Sequence, residues 1–178
     1  MKGLLCFLGL FLQLLSGCAP LGPGARLDPT TLPKTPQMEE AFQKAETLFY
    51  AKEFSKAQTS YEAYLGLFPT NAYTAKAYFR LGEIAFHDDY LKKALSYYRK
   101  SVEKYLDPQW GPLSLYQQAV VLSRDRGPAK ALSILDKLPP KIEPKLAIRA
   151  GSLRVSEARK MKDFLQEKRG YLELAYGY

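Results

Sequence analysis

The rhythm of apolar and polar positions changes twice along this chain. Residues 3–15 read GLLCFLGLFLQLL, an almost unbroken apolar run. About 20 apolar residues are needed to span a bilayer, so the run predicts the core of a secretory leader rather than a spanning helix. Residues 19–37, APLGPGARLDPTTLPKTPQ, hold five of the twelve prolines. Proline fixes φ and removes a donor, so this stretch predicts an extended spacer of ~3.1 Å per residue, roughly 60 Å in all. From Pro36 onward apolar residues recur every three or four positions, the spacing of an amphipathic helix. Thr35 suits the N-cap, Pro36 the first helical position, and Glu39 and Glu40 the first turn. The pattern predicts helices over 36–51, 54–67, 71–86, 89–105, 112–124, 128–137 and 144–162. A last segment, 163–175, reads either as a capping helix or as a loosely ordered tail. Pro112 and Pro144 suit first helical positions. No segment alternates with a period of two, so the fold class is all-α.

The helical part repeats itself. Ala57, Ala94 and Ala131 are spaced by 37 residues. Twelve residues before each stand Ala45, Gly82 and Ala119, and four after each stand Tyr61, Tyr98 and Leu135. A further step of 37 from Ala119 reaches Ser156, also small. Small residues on a first helix let a second approach closely, and a small residue and a bulky one on that second helix interdigitate with it. This small–small–bulky pattern, with Leu81-Gly82 and a closing Pro69, resembles the tetratricopeptide repeat (TPR). The resemblance covers roughly 38–138, with a degenerate fourth unit from Pro144. It implies a helical-hairpin solenoid of about three and a half units. The period exceeds the family's usual length by three residues, and Gln118 replaces the usual Leu in the third unit.

Residues 15–18, Leu15-Ser16-Gly17-Cys18, resemble the lipobox of bacterial lipoproteins: an apolar residue, two small ones and a Cys. The resemblance implies cleavage before Cys18 and acylation of its thiol. Two or more acyl chains, at ~0.8 kcal/mol per buried methylene, anchor stably where one does not. Cys6 would leave with the leader, so both cysteines of the chain are accounted for without a disulfide or metal. Ala19 after the Cys implies, by the enteric rule, the outer membrane, facing the periplasm. The expected domains are 1–17 (signal peptide), 18–37 (acylated Cys and tether) and 38–178 (repeat domain).

On a helix of 3.6 residues per turn, the packing stripe of the second unit's first helix carries Tyr78, Leu81, Gly82 and Ala85. A second stripe carries Lys76, Phe79, Glu83, Phe86 and His87. In tetratricopeptide proteins that stripe lines the concave groove. The same positions one period away are Phe42, Glu46, Phe49 and Tyr50, and on the other side Leu113, Tyr116, Val120 and Arg124. The row Phe42, Phe79, Tyr116, Leu153 thus recurs at one repeat position. Rings with interspersed charge suit a peptide, the rings supplying area and the carboxylates fixing register. The alternative is that these rings pack against neighbouring parts of the fold. Their solvent exposure decides between the two.

Composition narrows the chemistry. One His, two Cys and no glycine-rich phosphate loop or nucleophile elbow leave no expected catalytic residue, metal or cofactor. The His87-Asp88-Asp89 cluster falls at a helix–helix turn, where Asp serves as a cap. Charge is uneven: residues 18–123 carry 12 Lys+Arg and 11 Asp+Glu, whereas 124–178 carry 13 and 7. That basic C-terminal part, with Arg149, Arg154, Arg159, Lys160 and Lys162, is either a solvated face or a dock for an acidic partner or lipid phosphate. No motif supports nucleic acid. The chain resembles tetratricopeptide lipoproteins of outer-membrane assembly, among them those of the β-barrel insertion machinery and of the Tol-Pal system. The resemblance implies a non-catalytic scaffold for envelope proteins. Alternatives are a pilotin or secretion-accessory lipoprotein with one client, and remotely a cell-wall hydrolase.

Overall fold

The computed structural model describes residue 28 and residues 31–103, 107–125 and 127–176. Cys18, the leader and most of the expected tether lie outside them. Among the described residues the structure is entirely helical: α1 (Pro36–Tyr50), α2 (Phe54–Leu67), α3 (Thr74–His87), α4 (Leu91–Glu103), α5 (Trp110–Arg124), α6 (Pro128–Leu135), α7 (Pro144–Met161) and α8 (Phe164–Tyr176). Sequential helices pair as hairpins, and α3 also touches α5, as α5 touches α7. The odd-numbered helices therefore lie side by side and share one face.

Local chemistry sets the helix ends. Thr35 Oγ1 accepts the Met38 amide, and the Glu143 carboxylate accepts that of Leu146, each satisfying an otherwise orphaned donor. Helices α3 and α5 start elsewhere than the proline and turn signals place them, for identifiable reasons. Helix α3 begins at Thr74, not 71, because Asn71 is wholly buried in the preceding turn. Its Oδ1 accepts the Tyr64 hydroxyl at 2.6 Å and the Tyr73 amide at 2.8 Å. Its Nδ2 donates to the Phe68 carbonyl at 2.6 Å. Helix α5 begins at Trp110, before Pro112, because the Asp107 carboxylate accepts the amides of Gln109 and Trp110. Pro112 then occupies the third helical position, where its missing N–H has no intrahelical partner to lose.

Small-against-bulky contacts hold the first three hairpins together. Ala45, Ala57, Ala94, Ala119 and Ala131 are fully buried, and so are Tyr61, Tyr98 and Leu135. Each buried ring removes ~150–250 Å² from water, several kcal/mol at ~25 cal/mol per Å². The closest approach is at Gly82, where an added Cβ would sit 2.5–2.9 Å from the Tyr98 ring. Gln118, the substitution in the third unit, is buried and donates to the Tyr98 carbonyl at 3.3 Å. The turns inside the first two hairpins also repeat: Lys52 and Asp89, 37 residues apart, both adopt positive φ, 61° and 64°.

The fourth unit departs from the expected register. Ser156, which the 37-residue step marks as a packing site, is exposed. On α8, Lys168 and Leu172, the equivalents of Ala131 and Leu135, also face outward. Helix α8 turns nearly its opposite face inward. Gly170 packs on Gly151, with an added Cβ on Gly170 only 3.0 Å from the Gly151 carbonyl. Glu173 and Gln166 reach the fully buried Arg154, at 3.1 and 2.7 Å, and Asp136 adds a contact at 2.7 Å. Leaving a guanidinium buried without a carboxylate costs about 3–5 kcal/mol. The inward face of α8 is the one that satisfies Arg154, and Phe164, Leu165, Leu172 and Tyr176 remain at the surface.

Gly82→Ala is expected to lower unfolding stability by about 1–2 kcal/mol, the overpacking cost less the helix-propensity gain. Adding Tyr98→Leu should recover part of that loss, since Ala119 already opposes Leu135. Denaturant melts of the single and double variants check this, and an additive double variant would contradict the contact.

Candidate functional site

The face shared by α1, α3, α5 and α7 carries the residues singled out in the sequence, at different depths. Phe42 is 1% exposed and Phe79 4%. Phe42 stacks on Tyr73 at 4.7 Å and meets the edges of Tyr61 and Tyr64. Phe79 lies between Tyr98 and Trp110, at 5.7 and 5.1 Å. These two rings are core. The expectation that they line an open groove is corrected by the residues that cover them, Tyr73 and Lys76 over the first and Trp110 over the second. Glu46, at 4% exposure, is likewise internal. The remaining predicted residues reach the surface. Phe49, Glu83, Phe86 and Tyr116 are half-buried, while Tyr50 and Arg124 are exposed.

Glu46 is the centre of the network beneath that surface. It accepts the Tyr61 hydroxyl at 2.5 Å, the Lys76 ammonium at 2.6 Å and Arg80 Nε at 3.0 Å. Arg80 continues to Glu83 at 2.7 Å and to the Tyr50 hydroxyl at 2.8 Å. One guanidinium thus ties α1 to α3 and holds Tyr50 in place. Burial pushes the Glu46 carboxyl upward, but the hydrogen bonds from Lys76, Tyr61 and Arg80 together outweigh it and hold the group below its ordinary value. The balance reverses at Glu83, where burial exceeds the pull of Arg80 and Arg149 and the carboxyl is raised. Burial and the bond to Glu46 push the Tyr61 phenol far up, so it stays a donor. The corresponding Tyr98 hydroxyl in the second hairpin is buried without a hydrogen-bond partner among the described residues.

The accessible part of the face is built of cations lying on rings. Arg80 lies over Phe49 at 4.5 Å and Tyr50 at 5.3 Å. Lys76 and Arg80 both approach Trp110, at 5.4 and 5.5 Å. Arg124 lies over Phe86 at 5.4 Å and Arg149 over Tyr116 at 4.6 Å. Arg124 also pairs with Asp89 at 3.0 Å. Such contacts contribute about 0.5–1 kcal/mol each when exposed and ~2 when desolvated. They order long cationic chains that would otherwise be mobile.

Reading by stripes missed Arg80, Trp110, Arg149 and Glu157 as members of this face. The sequence did contain a signal. Gln43, Arg80, Gln117 and Arg154 fall at one repeat position, and Glu46, Glu83 and Glu157 at another, interrupted only by Val120. Glu157, 1% exposed, accepts Ser123 Oγ at 2.8 Å and Lys160 at 2.5 Å, and its second oxygen has no partner among the described residues. His87 lies on Phe54 at 4.5 Å and beside the Asp88 carboxylate at 2.9 Å. Among the described residues no group of three or more His, Cys, Asp or Glu side chains is placed to hold a metal ion.

No family profile and no curated protein sequence matches this chain. Among solved structures it is similar to YrrB, described as a TPR protein with an unusual peptide-binding site. The superposition has a TM-score of 0.55 and 18% identity, over 75% of this chain and 66% of that one. The chain thus spans about two thirds of YrrB's length. It also overlaps PilF of Pseudomonas aeruginosa, with a TM-score of 0.49 and 12% identity, over 79% of this chain and 76% of that one. The likeness to YrrB establishes the fold: the protein is an all-α, TPR-like solenoid.

Glu46→Gln is expected to cost about 2 kcal/mol of stability, because it strands Lys76 and weakens the hold on Arg80. The native carboxylate contributes stability that is present above its ordinary value of 4.5 and is lost as pH falls through its lower folded value. The variant should lack that portion of the acid slope. Chemical denaturation across the acid range measures both, and an unchanged slope would show that Glu46 is not the titrating group.

Proposed function

We propose that this protein is a lipid-anchored, non-catalytic adaptor of a bacterial envelope, holding a peptide segment of a partner protein against the shared face of α1, α3, α5 and α7. The observation that carries the reading is the row of partly accessible rings, Phe49, Tyr50, Phe86 and Tyr116, each backed by a guanidinium. A folded core gains little from leaving large rings half in water, whereas a guest segment gains contact area from rings already held in one orientation. That YrrB is a TPR protein with a peptide-binding site supports the same use of the fold. The anchor is read from Leu15-Ser16-Gly17-Cys18, and the proline-rich stretch after it would lift the repeat domain off the outer membrane into the periplasm. Service to outer-membrane protein assembly is the form of this role that the lipoprotein resemblance favours.

Two experiments test the reading. Cys18→Ser should abolish incorporation of labelled fatty acid and release the protein from the membrane fraction; persistent labelling would refute the anchor. Phe86→Ala combined with Tyr116→Ala should weaken partner capture by about a hundredfold, at ~1–2 kcal/mol per truncated ring. Circular dichroism should show native helicity. Undiminished capture by a folded double variant would remove this face as the binding surface.

A further inference from the structure

The charges available on this face are opposite in sign to those the sequence pattern suggested. Glu46 and Glu157 are buried beneath it and already neutralised, the first by Lys76 and Arg80, the second by Lys160. Glu83 is held by Arg80. Among the cations of this face, Arg149 is the exposed one that no ion pair engages among the described residues. It lies over Tyr116 at 4.6 Å, although its charge is felt at Glu83. Lys76 is paired with Glu46 at 2.6 Å, and Arg124, 51% exposed, is paired with Asp89, 68% exposed. A guanidinium carries a planar fork of N–H donors, the shape that binds a carboxylate through two parallel hydrogen bonds.

We propose that the segment held by this face is acidic: an extended peptide that sets a carboxylate against Arg149 and apolar side chains against the accessible rings beside it. The inference rests on the groove reading above and adds its polarity. Arg149 fixes the register of the guest, the role that the sequence pattern assigns to Glu46 and Glu83. Those two carboxylates instead hold the cationic side chains in place from below.

The chain's single tryptophan, Trp110, sits at the floor of the proposed site and reports occupancy. The full-length protein is titrated, following Trp110 emission, with three short synthetic peptides of equal leucine and phenylalanine content. Their alternate positions are Glu, Gln or Lys. The glutamate peptide should bind at least tenfold tighter than the lysine peptide, with an affinity that falls as salt rises. Arg149→Glu, at an exposed position that leaves the fold intact by circular dichroism, should weaken the glutamate peptide about tenfold or more. It should also flatten the salt dependence, while Arg149→Lys, which keeps the charge but loses the bidentate fork, should recover only part of the binding. Preference for the lysine peptide, or equal binding of all three, would overturn the acidic polarity and leave the groove reading standing. Failure of every peptide to perturb Trp110 would remove the groove and this proposal together.

Discussion

The contact of a small residue on one helix with a bulky one on the next is the constraint from which the rest follows. Ala45 against Tyr61, Gly82 against Tyr98 and Ala119 against Leu135 draw each hairpin closed at the same depth. Because the contact recurs at constant chain interval, successive first helices fall into one row and present one face. In the first hairpin the same tyrosine does a second thing: its hydroxyl meets Glu46. Core packing and the polar network of the shared face are therefore parts of one arrangement. A change in ring depth would move the carboxylate that holds Lys76 and Arg80.

That network explains how so basic a face stays ordered. Exposed ion pairs contribute little, typically up to about 1 kcal/mol. Around Glu46 the anion lies beneath the surface and Lys76 and Arg80 rest on rings, so both halves of each pair are partly desolvated and geometrically fixed. Arg80 shows the principle most fully, with three polar partners and three aromatic neighbours on a side chain only 11% exposed. Such a guanidinium is structural. Arg149, with a ring beneath it and water above, is the one left available to a guest.

The fourth hairpin shows what happens when a buried charge competes with the repeat. Arg154 stands at the same repeat position as Arg80, yet it is fully buried, because Gly151 and Gly170 let α8 close over it. Glu173, Gln166 and Asp136 supply its partners. Satisfying one internal guanidinium decides which face of α8 points inward. The apolar side chains left outside are a consequence of that choice.

The order of elements, the hairpin pairing and the 37-residue interval were legible in the residues alone, because they depend on local periodicity and on volumes that must alternate along a packed seam. Cys18 and most of the proline-rich stretch lie outside the described residues. The depth of each ring was not legible. Phe42 and Phe79 share a repeat position with Tyr116, yet the first two are core and the third is accessible, since burial is set by what the neighbouring repeat brings over them: Tyr73 in one case, Trp110 in another, a mobile-length arginine in the last. Nor could spacing reveal which carboxylates are internally neutralised. A charge pattern along a helix gives sign and position, whereas the charge a partner meets depends on which groups end beneath the surface, and only the packed chain determines that.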